Sequence, residues 1–202
     1  MNYDLFVAAV EAYPLFGTDV LSTLKGSSAG WQLQLTRWAK QGKVLRLKRG
    51  LYTLPASRRK GPLSLRWLAN TLYSPSYLSL EYVLSWHDLI PERVSAITSV
   101  TPRKTQTFEN PLGHFVYQTL KQELFFGFEE REDEHQTRIL MATPEKALLD
   151  YIYLYPRWKS TSEFAEQNIR LQNMDSLNKK LLKKYAKKFC SPKITRAVEV
   201  LL

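Results

Sequence analysis

A chain of 202 residues, 44% of them apolar, is long enough for one large or two small domains and apolar enough to bury a core, which excludes an intrinsically disordered protein. It has no run approaching the ~18–20 apolar residues needed to cross a bilayer, no basic region ahead of its apolar N-terminal stretch, and one cysteine, Cys190. A secretory leader, an internal disulfide and a cysteine-based zinc cluster are therefore not expected. The net charge of +10 is uneven: +7 over residues 1–61, −3 over 62–142 and +6 over 143–202. A basic head favours a polyanionic partner, because neutralising phosphates releases condensed counterions. The reducing cytoplasm of a bacterium or archaeon is the expected location.

The spacing of Leu5, Phe6, Ala9, Val10 and Tyr13 predicts a helix over residues 3–13, ended by Pro14. Thr18 or Asp19 can cap a short second helix to about Lys25, and Gly26-Ser27-Ser28 reads as a turn. A third helix, capped by Ser27 or Ser28, runs to about Gln41, where Gly42 stops it. Trp31, Leu35 and Trp38 share one face of this helix and are expected in the core. The opposite face offers Ser28, Gln32, Leu33, Thr36, Arg37 and Lys40. Amide, hydroxyl and guanidinium groups mixed in this way suit base edges and phosphates: arginine forks onto guanine, glutamine onto adenine.

Strand-like alternation follows. In Val44–Lys48, Leu45 and Leu47 face one way, Arg46 and Lys48 the other. Arg49-Gly50 turns the chain, and Leu51–Leu54 returns before Pro55. Lys43, Arg46, Lys48, Arg49, Arg58, Arg59 and Lys60 form a basic series with no acid between them. Helix, stop and basic hairpin make the pattern of a winged helix-turn-helix, whose hairpin would sit on the DNA backbone or in the minor groove. Residues 1–57 are assigned to this head, and 58–62, charged and then broken by Gly61-Pro62, to a basic linker.

Residues 63–202 read as a second unit. Amphipathic helices are expected over 63–73 and 77–90, the latter capped by Ser79, then a strand over Val94–Val100. A hairpin joins Thr105–Phe108 to His114–Thr119 through Asn110-Pro111-Leu112-Gly113. A second strand pair, Leu124–Glu130 and Thr137–Met141, flanks the polar loop 131–136. Thr143-Pro144-Glu145-Lys146 writes a helix start, with threonine as N-cap, proline at the first position and an acid in the first turn, and the helix runs to Pro156. The tail is helical, with a polar break at Asn173–Asp175. Lys179, Lys180, Lys183, Lys184, Lys187 and Lys188 lie there on the side opposite Leu177, Leu181 and Tyr185, with Ala186 or Phe189 at its edge. That face could meet a partner protein or a nucleic acid; a plain solvated helix is the alternative. The whole reads as an α+β protein: a winged helix-turn-helix, then a mixed α/β unit with antiparallel hairpins and C-terminal helices.

Several segments carry a family resemblance. Tyr77–Glu92 (YLSLEYVLSWHDLIPE), Thr98–Lys104 (TSVTPRK), Pro111-Leu112-Gly113, Leu124–Gly127 (LFFG), Ala142–Asp150 (ATPEKALLD) and, in the head, Arg49–Pro55 (RGLYTLP) resemble the AbiEi antitoxins of type IV toxin–antitoxin systems. The resemblance covers about residues 1–155. It implies a winged helix-turn-helix that represses its own operon at inverted repeats of double-stranded DNA, and a second domain that counteracts a nucleotidyltransferase-like toxin, directly or indirectly.

No constellation for catalysis stands out. His87, His114 and His135 have no metal-ligand spacing, Cys190 has no adjacent base, and neither a Walker A nor a GxGxxG motif is present. The acidic stretch Glu129–Glu134 reads as a solvated loop. No cofactor, metal or small-molecule substrate is expected. The rival readings are a winged-helix module that binds protein rather than DNA, a regulator without antitoxin activity, and an enzyme acting on nucleic acid.

Overall fold

The computed structural model describes residues 2–17, 20–21, 28–155 and 170–201. They form an α+β protein of two compact units: residues 1–65 with 108–113, and 66–107 with 114–202. Of the second helix expected from Thr18 or Asp19 to Lys25, Val20 and Leu21 are helical and the rest, with the Gly26-Ser27 turn, lies outside the described residues; the helix expected to run to Pro156 ends at Leu154.

The first unit opens with α1 (Tyr3–Val10), N-capped by Asn2, whose side chain accepts from the Asp4 amide. Its buried face is Phe6, Val7 and Val10, whereas Leu5 and Tyr13, which belong to the apolar spacing that predicts the helix, are exposed. The apolar stripe is thus turned by one residue from the sequence reading. Strand β1 (Phe16–Gly17), too short to alternate visibly, was not expected. It pairs antiparallel with β3 (Leu51–Thr53), which pairs antiparallel with β2 (Leu45–Lys48) in a three-stranded sheet ordered β1-β3-β2. Between them in sequence runs α2 (Ser28–Lys40). Phe6 is the hub of the core, with ring centroids 4.7 Å from Trp38, 5.6 Å from Phe16 and 5.7 Å from Trp31. Aromatic pairs at such separations contribute about 0.5–1.5 kcal/mol each beyond their buried area.

The first unit continues past Leu54. A 3₁₀ turn (Ala56–Arg58) follows, and residues 59–61, expected in a linker, are tied down. The Lys60 amide donates to the Glu11 carbonyl at 2.9 Å. Its ammonium lies 2.6 Å from the Glu11 carboxylate.

Among the described residues the other sheet of the chain is six-stranded and mixed, ordered β6-β7-β5-β4-β9-β8. Its strands are β4 (Tyr77–Leu78), β5 (Ile97–Thr101), β6 (Gln106–Asn110), β7 (Gly113–Thr119), β8 (Phe128–Glu132) and β9 (Arg138–Ala142). β4 runs antiparallel to β5 and parallel to β9, β5 parallel to β7, and β8 antiparallel to β9. The central strand β5 is buried at every residue, as a strand covered on both faces must be. The helix expected over 77–90 is divided. Tyr77–Leu78 belong to the sheet, and only Leu80–Trp86 (α4) is helical. Leu80 has a φ of 61°, and Ser79 makes no capping bond because its hydroxyl serves the core instead. Of the expected strand 124–130, Leu124 ends a 3₁₀ turn (Gln122–Leu124) and only Phe128–Glu130 are in β8, which runs through Glu132.

The helices are α3 (Leu65–Leu72), α4, α5 (Pro144–Leu154), α6 (Lys179–Phe189) and α7 (Pro192–Leu201). The expected cap is present on α5: the Thr143 side chain accepts from the Lys146 amide, with Pro144 at the helix start. The Asn178 side chain caps α6 in the same way, and its backbone amide donates to Glu145 Oε1 at 2.8 Å. Among the described residues no helix is long and apolar enough to cross a membrane.

Candidate nucleic-acid interface

Helix α2 is divided cleanly. Trp31 and Trp38 are each 3% exposed and Leu35 is fully buried, as their shared face requires. Gln32, Leu33, Thr36, Arg37 and Lys40 are exposed. For Ser28 only the helical backbone is described; its side chain lies outside the description. The Thr36 hydroxyl donates to the Gln32 carbonyl at 2.8 Å, so its proton is engaged within the helix and it offers a ligand only an acceptor and a methyl group. Gln32, Arg37 and Lys40 supply the donors of this face.

A tight stop follows α2. The Lys43 and Val44 amides donate to the Trp38 carbonyl at 2.9 and 3.4 Å, and Gly42 takes the left-handed φ of 68° that closes a helix. The Tyr3 hydroxyl donates to the Lys43 carbonyl at 2.7 Å, and the Lys43 ammonium lies 5.2 Å from the Tyr3 ring centre. In the hairpin, Arg46 is exposed and Leu47 buried, with the register broken between Arg46 and Lys48 by a bulge. Lys48 is half-buried, Arg49 exposed, and Gly50 supplies the positive φ of the turn.

The next three basic residues differ in what they do. Arg58 is exposed. The Lys60 ammonium is paired with Glu11. The Arg59 guanidinium is turned inward, donating to Thr53 Oγ1 and to the Leu54 carbonyl at 3.2 Å each and, through Nε, to the Gly61 carbonyl at 3.2 Å. Burial holds it below its ordinary value. Its geometry is that of a clamp on the end of β3. A series of like charges looks uniform in sequence; only the fold separates the arginine that braces from the one that faces solvent.

In the second unit all six tail lysines are exposed. Pairs recurring every four residues cover roughly half the circumference of a helix. The buried side of α6 is Leu182, Ala186 and Phe189, with Leu181 and Tyr185 half-buried, so its axis is rotated from the expected Leu177–Leu181–Tyr185 line. The Lys188 ammonium lies 4.5 Å from the Phe126 ring centre. Glu129 and Glu130 of the acidic stretch pair with Arg131 at 3.2 Å and Arg138 at 3.3 Å, and Glu134 pairs with Arg66.

The motif residues meet in the core. Lys146 and Asp150, one turn apart on α5, are fully buried and paired. The Asp150 carboxylate also accepts from the Tyr77 phenol and the Ser79 hydroxyl at 2.9 Å each. Burial, and then the Asp150 charge, push the Tyr77 phenol well up, so it stays protonated and donates. The Lys146 ammonium further lies 4.9 Å from the Phe126 ring centre and 5.0 Å from that of Phe189. Lysine, tyrosine, serine and aspartate together could be taken for catalytic chemistry, but the four residues are sealed from solvent and satisfied by one another. The i, i+4 spacing of Lys146 and Asp150 was the sequence signal for their pairing. Among the described residues no group of His, Cys, Asp and Glu could hold a metal ion.

No protein-family model matches the chain, and no curated protein matches it.

Proposed function

We propose that the chain is a bacterial, cytoplasmic antitoxin of the AbiEi kind that represses its own operon. In this reading the first unit is a winged helix-turn-helix that binds inverted-repeat double-stranded DNA, and the second counteracts a nucleotidyltransferase-like toxin without being an enzyme itself. The observation that carries the DNA part is the division of α2: two tryptophans and a leucine anchor one face, while Gln32, Arg37 and Lys40 stand exposed on the other, followed by a hairpin with Arg46 and Arg49 exposed. A rigid helix with an outward donor set beside a basic hairpin is what reading a major groove and holding a backbone require. The antitoxin part is supported by the motif segments of the second unit alone.

Binding to the DNA upstream of the gene, compared with random duplex across a salt series, tests the first part. Arg37→Ala and Gln32→Ala should each cost about 1–3 kcal/mol of preference for the cognate sequence. Arg46→Ala and Arg49→Ala should weaken all DNA alike and lower the salt slope by about one each. Equal affinity for both duplexes at every salt concentration would remove the repressor reading. Co-expression with a neighbouring nucleotidyltransferase-like reading frame tests the second part; toxicity unrelieved by the chain would remove it. The exposed lysines of α6 are the proposed partner surface, so Lys183→Glu with Lys187→Glu should reduce neutralisation without lowering the melting temperature.

A further inference from the structure

One of the residues of α2 that point away from the core is apolar. Leu33 lies roughly 140–160° around the helix axis from each of Trp31, Leu35 and Trp38. It is 56% exposed and flanked by the exposed Gln32, Thr36 and Arg37. A single exposed leucine needs no explanation on an ordinary surface. This one shares its face with the exposed Gln32, Thr36, Arg37 and Lys40, and its neighbour Thr36 has already given its hydroxyl proton to the helix. At Leu33 and Thr36 this face therefore offers carbon, and Gln32, Arg37 and Lys40 supply its donors.

The major groove holds one apolar group that an edge-reading side chain can meet, the methyl on C5 of thymine. We propose that Leu33 reads a pyrimidine C5-methyl group in each half-site, Thr36 lying beside it. This inference rests on α2 entering the major groove. It assigns to Leu33 a specificity role distinct from the hydrogen-bonding residues: at one base pair, preference comes from desolvating a methyl group. A 5-methylcytosine presents the same group at the same place in the groove, so the chemistry recognised is the methylated pyrimidine edge rather than thymine alone.

The test uses the full chain and the upstream duplex with its half-sites mapped by footprinting. Each thymine in a half-site is replaced singly by deoxyuridine, which removes only the methyl group. At one position per half-site the wild-type protein should lose about fourfold in affinity, the value of transferring one such carbon out of water. Leu33→Ala should bind the thymine duplex more weakly and no longer distinguish it from the deoxyuridine duplex at that position, while Arg37→Ala should keep the distinction. Leu33 is exposed, so an unchanged melting temperature checks that the variant is folded. Equal binding of thymine and deoxyuridine duplexes at every position by the wild-type protein overturns the proposal, and so does a Leu33→Ala variant that still distinguishes them. A Leu33→Ala variant that alters self-association in sedimentation, with the methyl response intact, would assign the residue to an interface between copies and also overturn it. Failure to prefer the upstream duplex removes the DNA reading and this inference together. Specific binding without a methyl response removes this inference alone.

Discussion

The Lys146 ammonium donates to the phenol oxygen of Tyr77 at 2.9 Å, across 69 residues of sequence. That bond, with those of Asp150 to Tyr77 and Ser79, joins α5 to β4 and to the residue that precedes α4. A buried ion pair is most costly when half of it is removed, because the survivor is left charged and unpaired. Asp150→Asn and Lys146→Met should each destabilise the second unit by about 3–5 kcal/mol in urea unfolding. Lys146→Met combined with Asp150→Asn removes both charges and keeps an acceptor for Tyr77 and Ser79, so it should cost less than the sum of the single changes. Strict additivity would mean that the pair is uncoupled.

Two glycines with similar backbones should respond differently to alanine. Gly50 and Gly127 both have left-handed φ angles, 77° and 74°. A methyl at Gly50 meets nothing within 4 Å, whereas one at Gly127 would lie 3.0 Å from Lys146 Cγ and 3.1 Å from Tyr185 Cε2. Gly50→Ala should cost only the backbone penalty of roughly 1–2 kcal/mol. Gly127→Ala should add an overpacking cost of about 1–3 kcal/mol. Denaturant midpoints of the two variants give the comparison, and equal losses would contradict it.

Arg58 and Arg59 are neighbours that should separate cleanly. Arg59→Ala removes three donated hydrogen bonds and should lower the stability of the first unit by about 1.5–3 kcal/mol, as loss of charge-assisted bonds does. Arg58→Ala should leave stability within about 0.5 kcal/mol of the wild type. If the first unit binds DNA as proposed, Arg58→Ala should also lower the salt slope by about one. Thermal melts and salt titrations of both variants check this. Reversed assignments would mean that the clamp described for Arg59 does not operate.

Local pattern made much of this fold legible, and long-range pairing made the rest illegible. The amphipathicity of α2, the Thr143-Pro144 helix start and the Gly50 turn are written in adjacent residues, and each stands where it was expected. Strand β1 has two residues, too few for alternation to register. Tyr77 and Leu78 were absorbed into a helix because apolar residues continue through Leu80 and Val83 at spacings that suit a helix as well. What moves them into the sheet is pairing with Val100 and Ser99, which no local window contains. Within the basic series the residues could be named but not sorted into exposed and engaged, because the partners of Arg59 and Lys60 depend on where Thr53 and Glu11 come to lie.

Acid should weaken the second unit through His87. Burial, followed by the Arg131 charge, lowers its pKa below the ordinary 6.5, against the smaller opposing effects of Glu145 and Asp88. A histidine with a depressed folded pKa binds fewer protons folded than unfolded, so stability rises with pH. The contribution is fully present above the unfolded value and is lost as pH falls from about 6.5 through the folded one. Unfolding midpoints compared at pH 8 and pH 5.5 should fall for the wild type and fall less for His87→Asn. Equal falls would place the acid sensitivity elsewhere.

At the start of α5 three side chains within four residues each find a different partner: Thr143 the Lys146 amide, Glu145 the amide of Asn178, and Lys146 both Tyr77 and Asp150. The segment most recognisable as a motif is thus a set of assembly instructions. Another chain carrying it could inherit the scaffold and nothing of the specificity: if the first unit binds DNA as proposed, the target is chosen by side chains of α2 that the motif does not touch. Grafting the outward residues of α2 from one such protein to another should therefore move the target and leave the architecture alone.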